Sequence, residues 1–156
     1  METDGIWRAP FALLPVHGAV SVPGSKSATN RALVLSALAD GPSTIARPLI
    51  ARDTRLMADA LRALGTEIEE SADGLQWRVT PRPLHGPATI DCGLAGTVMR
   101  FVPAVAMLAN GDVTFDGDER ARLRPMKTMI DSLRALGITV DDGGRGTLPF
   151  TVRGVG

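Results

Sequence analysis

Cysteine is almost missing from this 156-residue chain, which has Cys92 alone. A single thiol excludes an intrachain disulfide and a cysteine-rich zinc site, and it fits a reducing cytoplasm. Histidine is nearly as scarce: His17 and His85 stand far apart and suggest no metal centre. Neither sign of charge is in excess, since 17 basic residues balance 17 acidic ones. The chain therefore lacks the basic surplus on which binding to nucleic acid or a membrane surface usually rests. Long apolar runs are absent too. Pro, Arg or Asp interrupts the longest stretches, so no segment is expected to span a bilayer. The opening METDGIWRAP carries acids where a secretory signal has a basic and then an apolar region, so no signal is expected. What is present is the composition of a soluble globular domain, 44% apolar and 22% charged, in a length able to bury a core.

A duplication organises the chain. Met57-x-Asp59-x-Leu61-Arg62-Ala63-Leu64-Gly65 recurs as Met129-x-Asp131-x-Leu133-Arg134-Ala135-Leu136-Gly137, identical at seven of nine positions and 72 residues on. Each copy reads as an amphipathic helix, with Met126, Met129, Ile130, Leu133 and Leu136 on one face of the second. Each closes on a glycine suited to the left-handed position beyond a helix end. Strand-like runs follow at 66–70 and 75–80, and again at 138–142 and 149–153. Before each copy lies a segment apolar on nearly all sides, 25–39 and 95–109, predicted to be a buried helix. Pro103 should kink or shorten the second. A loop glycine (Gly41, Gly111) and a short strand (43–46, 113–115) come next, and strands at 19–22 and 88–91 precede the buried helices. The expected fold class is thus α/β (α+β), with β-α-β-α-β-β units over 17–86 and 87–156. A five-residue echo alone arises by chance in an Ala/Leu/Arg-rich chain, but the matched order of elements around it does not. Repeat units usually need neighbours to complete their cores, so two copies suggest an incomplete set.

The residues able to do chemistry lie at helix starts. Pro23-Gly24-Ser25-Lys26-Ser27 runs from a strand into the first buried helix, with Arg31 one turn on. Free N–H groups and the helix dipole favour an anion there. Lys26 adds charge, Ser27 a hydroxyl, and Arg31 a fork suited to phosphate or carboxylate. The spacing opposes a nucleotide P-loop, because Ser25 rather than glycine precedes Lys26, and leaves a P-loop kinase as a remote third reading. The bland alternative is a capped helix with solvated charges. In the second unit Ala95-Gly96-Thr97-Val98-Met99-Arg100 opens the other buried helix; Gly96 allows close backbone approach, or simply serves a tight turn. Asp118-Glu119-Arg120-Ala121-Arg122-Leu123-Arg124-Pro125 follows. Pro125 suits the first helical position, which puts Arg124 at the helix mouth, while Arg122 reads as solvated. Asp53 and Glu119 read as helix-capping or loop residues, and Cys92 as a small strand-end residue rather than a nucleophile.

PGSKSATNRAL, then CGLAGTVMRF, then DGDERARLRPM: in order and separation these resemble the EPSP synthase family, over about Val16 to the C-terminus. The resemblance implies transfer of the enolpyruvyl group of phosphoenolpyruvate to the 5-hydroxyl of shikimate 3-phosphate, on the way to aromatic amino acids. It implies a cytoplasmic enzyme with no metal or organic cofactor, and competition between glyphosate and phosphoenolpyruvate. Carried over by motif, Lys26 is catalytic and touches both substrates, and Ser27 and Arg31 bind shikimate 3-phosphate. Gly96 lies against phosphoenolpyruvate and Arg124 holds its charged groups, with Thr97, Arg100 and Arg120 completing the substrate-binding set. Leu94 and Phe101 depart from the family's commonest pattern, which has a polar residue and Pro there. The family fold has two domains of three units each, with substrates in the cleft between them. This implies that 17–156 is part of an N-terminal domain, that 1–16 is a strand segment of the missing second domain, and that the chain alone does not turn over. In the sister family, which transfers enolpyruvate to UDP-N-acetylglucosamine, a cysteine typically stands where this chain has Glu119. A free-standing anion-binding module is the alternative from another class.

Overall fold

The computed structural model describes residues 9–156. Residues 1–8, half of the strand segment expected over 1–16, lie outside the described residues. The first regular element is α1 (Lys26–Ala37), whose cap Ser25 accepts a hydrogen bond from the Ala28 N–H at 3.3 Å. Then come β1 (Ser43–Ala46), α2 (Arg52–Ala63), β2 (Glu67–Glu70) and β3 (Gln76–Thr80). The second half runs β4 (Ala88–Asp91), α3 (Gly96–Ala106), β5 (Asn110–Asp116), the short α4 (Glu119–Arg122), α5 (Lys127–Ala135), β6 (Val140–Asp141) and β7 (Phe150–Val155).

The duplicated helices end in the same way. Gly65 and Gly137 have φ of +107° and +87°. Their N–H groups bond to the carbonyls of Arg62 and Arg134, and those of Thr66 and Ile138 reach Leu61 and Leu133. This double closure satisfies the last carbonyls of each helix, and the positive φ is why glycine ends both copies.

The first sheet has the order β1-β3-β2, all antiparallel, and the second β4-β5-β7-β6. In the second, β4 lies parallel to β5 while β7 is antiparallel to both its neighbours. The sheets match strand for strand except that β4 has no counterpart, because the strand expected over 19–22 does not form. Residues 9–24 carry no helix or strand, and Val20 and Val22 are exposed. β4 is held at both ends: the Gly86 N–H bonds to the Asn110 carbonyl and the Cys92 N–H to that of Asp116. Among the described residues the 19–22 segment has no such anchor upstream. Fixing its backbone costs about 1–2 kcal/mol per residue, against two valines to bury.

The helices before the repeats are shorter than expected, at 12 and 11 residues. Nor is α1 buried all round: it hides Thr29, Asn30, Leu33, Ser36 and Ala37, but Leu35 is 70% exposed. Its apolar composition had concealed that the buried face is partly polar. α3 is the more enclosed, and it ends three residues after Pro103, which supplies no N–H to the helix ladder. α2 packs between α1 and α3 and also meets β4, while α1 touches α3 directly. One core therefore crosses both halves, from Leu33, Met57, Leu61 and Trp77 to Val98, Met99 and the stacked rings of Phe115 and Phe150, 5.2 Å apart.

Candidate anion-binding site

Because α2 lies between α1 and α3, the starts of these helices share one rim. Lys26, first residue of α1, sets its Nζ 2.8 Å from Oδ2 of Asp53 in the first turn of α2. Arg52, one residue earlier, donates from both Nη atoms to the two Asp118 oxygens, each at 2.8 Å. Asp118 caps α4, and two residues beyond α4 Arg124 donates from Nη1 to the Leu94 carbonyl at 3.1 Å, just ahead of α3. The circuit closes where Asn30 of α1, wholly buried, donates from Nδ2 to Oγ1 of Thr97 in α3 at 2.6 Å.

Within that circuit Gly96, Arg100 and Arg124 come together. A Cβ at Gly96 would stand 3.0 Å from an Arg100 nitrogen and 3.4 Å from an Arg124 nitrogen. Arg100 also donates from Nη1 to the Gly96 carbonyl at 3.2 Å. No side chain caps α3, so its first-turn N–H groups stay open beside two cations. Among the described residues, Arg31, Arg100, Arg120 and Arg124 form no ion pair, whereas Lys26 is engaged with Asp53. Thr97 is turned to Asn30, next to Arg31 in sequence. Ser27 is half-buried with no side-chain hydrogen bond among the described residues, and Arg120 is exposed on α4 without a polar partner there.

Several sequence expectations change. Pro125 is not the first residue of α5: that helix starts at Lys127, because the Met126 N–H bonds to the Gly146 carbonyl and draws the chain across before it coils. Arg124 therefore sits in the connection between α4 and α5. Glu119–Arg122 is helical rather than loop, and Arg122 is not simply solvated, since it grips Asp116 with bonds of 2.8 and 2.6 Å. Asp53 is the ion-pair partner of Lys26 rather than a capping residue. The hydrogen bonds from Arg52 and Arg122 hold the Asp118 and Asp116 carboxyls below their ordinary range. Cys92 is wholly buried, and burial, then the charges of Asp91 and Asp116, push its thiol up to about 12, which fits a packed residue rather than a nucleophile. Arg52 and Asp118 were missed, although the repeat held a signal for the first. Arg52 and Arg124 stand 72 residues apart, at one position of the duplicated unit.

Among the described residues no group of three or more His, Cys, Asp and Glu is placed to hold a metal, and no helix is long and apolar enough to cross a membrane. A duplicated α/β framework of repeated units gathers arginines, a lysine and an open helix mouth on one rim. The family profile described as EPSP synthase (3-phosphoshikimate 1-carboxyvinyltransferase) matches residues 12–156, and the chain belongs to that family. It is 52% identical to the 3-phosphoshikimate 1-carboxyvinyltransferase of Kocuria rhizophila, over 98% of this chain and 36% of that protein. It is 51% identical to that of Mycobacterium ulcerans, over 96% of this chain and 35% of the other. A solved EPSP synthase from Acinetobacter baumannii matches 88% of this chain and 32% of its own, with a TM-score of 0.79 at 27% identity. The chain thus spans about a third of the length of the curated relatives it matches.

Proposed function

We propose that this chain forms one wall of the active site of a cytoplasmic 3-phosphoshikimate 1-carboxyvinyltransferase, binding shikimate 3-phosphate and phosphoenolpyruvate. The observation that carries the reading is the meeting of Gly96, Arg100 and Arg124 at the uncapped start of α3, inside the circuit that also includes Lys26. Gly96 leaves room for phosphoenolpyruvate to approach the backbone, and Arg124 with Arg100 meets its carboxylate and phosphate. Ser27 and Arg31 take shikimate 3-phosphate, with Thr97 and Arg120 at the edge of the same set. Lys26 exchanges Asp53 for substrate oxygens and stands between the two ligands, where it stabilises charge as the 5-hydroxyl attacks. The reaction also protonates the methylene carbon, takes up the proton of the 5-hydroxyl, and removes a methyl proton as phosphate leaves, which calls for positioned acids and bases and exclusion of water. Those groups, and the opposite wall, come from the remaining two-thirds of the protein; residues 17–86 and 87–156 serve as two units of its N-terminal domain.

Calorimetry with shikimate 3-phosphate, and with UDP-N-acetylglucosamine as the competing substrate, tests the assignment. Binding of the first alone is expected, because Glu119 replaces the cysteine of the sister family. A charge-assisted contact contributes roughly 1.5–3 kcal/mol, so Lys26→Ala should weaken binding about tenfold or more. Preference for the nucleotide sugar, or unchanged affinity in Lys26→Ala, would overturn the assignment. Phosphate release is expected only when the rest of the protein is supplied in trans, and steady turnover by this chain alone contradicts the one-wall reading.

A further inference from the structure

Arg52 occupies in the first unit the position that Arg124 occupies in the second, yet the two guanidinium groups are used differently. Arg124 donates to the Leu94 carbonyl and lies beside Gly96, whereas Arg52 is engaged with Asp118 through two bonds of 2.8 Å. We propose that Arg52 and Asp118 are a positioning pair that sets where Arg124 points, so that the first unit aims the anion-binding arginine of the second. This rests on the reading of Arg124 as a ligand of phosphoenolpyruvate.

The route from one arginine to the other is short and wholly bonded. The Asp118 N–H donates to the Gly93 carbonyl at 3.0 Å, and the Asp118 carbonyl accepts from Ala121 and Arg122 at 2.8 and 3.2 Å. The Arg124 N–H then donates to the Ala121 carbonyl at 3.0 Å. Asp118 is therefore the residue from which α4 starts, and a turn of α4 about it carries Arg124 along. The far end of α4 is tied as well, by Arg122 on Asp116. At the near end it is the Asp118 side chain that is held, by Arg52.

The passage of Arg52 across the unit boundary depends on a missing side chain. Gly93 has φ +48°, and a Cβ there would meet an Arg52 nitrogen at 2.9 Å and Leu56 Cδ1 at 2.7 Å. The next residue, Asp53, holds Lys26. The first turn of α2 thus holds a cation of the site on one side and the base of α4 on the other. Both Arg52 and Asp118 are substantially exposed, so the pair contributes little to global stability, and its effect should fall on geometry.

The test uses the 156-residue chain with Arg52→Ala, Asp118→Asn and the exchanged pair Arg52→Asp with Asp118→Arg. In the ligand-free chain the Nε–Hε resonance of Arg124 is expected to move in both single variants and to return towards its original position in the exchanged pair. An unmoved resonance overturns the proposal, whatever becomes of the substrate reading. Calorimetry with phosphoenolpyruvate, in the presence of shikimate 3-phosphate, should show each single variant weakened by about tenfold, the scale of one charge-assisted contact. Melting temperatures should stay near the original, and Arg52→Ala should cause no further loss in an Arg124→Ala background. Additive loss in that background would make Arg52 a direct ligand, and a large fall in melting temperature would make the pair merely structural; either refutes positioning. If Arg124→Ala leaves affinity intact while the resonance still responds to Asp118→Asn, the substrate reading fails and the mechanical link stands.

Discussion

Replacing Asp142 with Asn perturbs the turn that joins β6 to β7, and its cost can be worked out from the structure. The Asp142 side chain is 4% exposed. Its Oδ1 accepts from Arg134 Nη2 at 2.8 Å and from the Gly144 N–H at 3.1 Å, and its Oδ2 accepts from the Gly146 N–H at 2.7 Å. The Arg134 bond first, and then the Gly146 amide, hold this carboxyl at about 2 against an ordinary 3.8, overriding the opposing effect of burial. That gap corresponds to about 2 kcal/mol of native-state stability. The native value lies below the unfolded one, so the contribution is complete above about pH 4 and is lost as pH falls through about 2. Asparagine keeps one acceptor, removes the charge and turns an NH2 towards a backbone N–H. The turn matters beyond itself, since the Gly146 carbonyl also accepts the Met126 N–H at the start of α5. Urea unfolding at pH 7 is therefore expected to show Asp142→Asn about 2 kcal/mol less stable, with the difference from the parent chain narrowing steadily between pH 4 and pH 2. A difference that stays constant over that range would refute the reasoning.

Two further outcomes follow from packing. Gly154→Ala puts a methyl group 2.7 Å from the Ala106 carbonyl oxygen and 2.9 Å from the Ala109 carbonyl carbon, both backbone, so β7 must move off the end of α3. Thermal unfolding should report a loss of roughly 1–3 kcal/mol, whereas Gly41→Ala, with nothing within 4 Å of the new Cβ, should melt like the parent; equal melting of the two variants contradicts the packing account. The Cys92 thiol, buried and raised to about 12, should resist an aromatic disulfide reagent at pH 8 until denaturant is added, and a fast reaction in the native chain would show that burial does not protect it.

Much of the architecture was legible in the residues because the signals are local. A glycine at a helix end reports a positive φ, and Gly65 and Gly137 close their helices through matching bonds. Period and spacing marked β1 and β4 to the residue, and the seven-of-nine echo placed α2 and α5. The same local logic failed where the outcome depends on what lies alongside. Residues 19–22 alternate like a strand, but a strand exists only against a partner held in register, and β4 obtains its register from contacts at both ends. α1 reads as apolar, yet its buried face carries Asn30, which α3 meets with Thr97, and Thr29, whose hydroxyl accepts from the Leu49 N–H.

The candidate site divides in the same way. Lys26, Gly96, Arg100 and Arg124 could be named from motif and residue chemistry alone, since a cation or a glycine at a helix start has meaning without knowledge of its neighbours. Their partners could not. Lys26 meets Asp53 across 27 residues, Arg52 meets Asp118 across 66, and Asn30 meets Thr97 across 67. Each of those pairs forms because α2 is packed between α1 and α3, which brings helix starts from both units onto one rim. Sequence by itself determined which residues bring a cation or a glycine to a helix start. Only tertiary packing decided which of them are neutralised and which stay unpaired among the described residues, because that depends on the distance between charges that the chain separates and the core brings together.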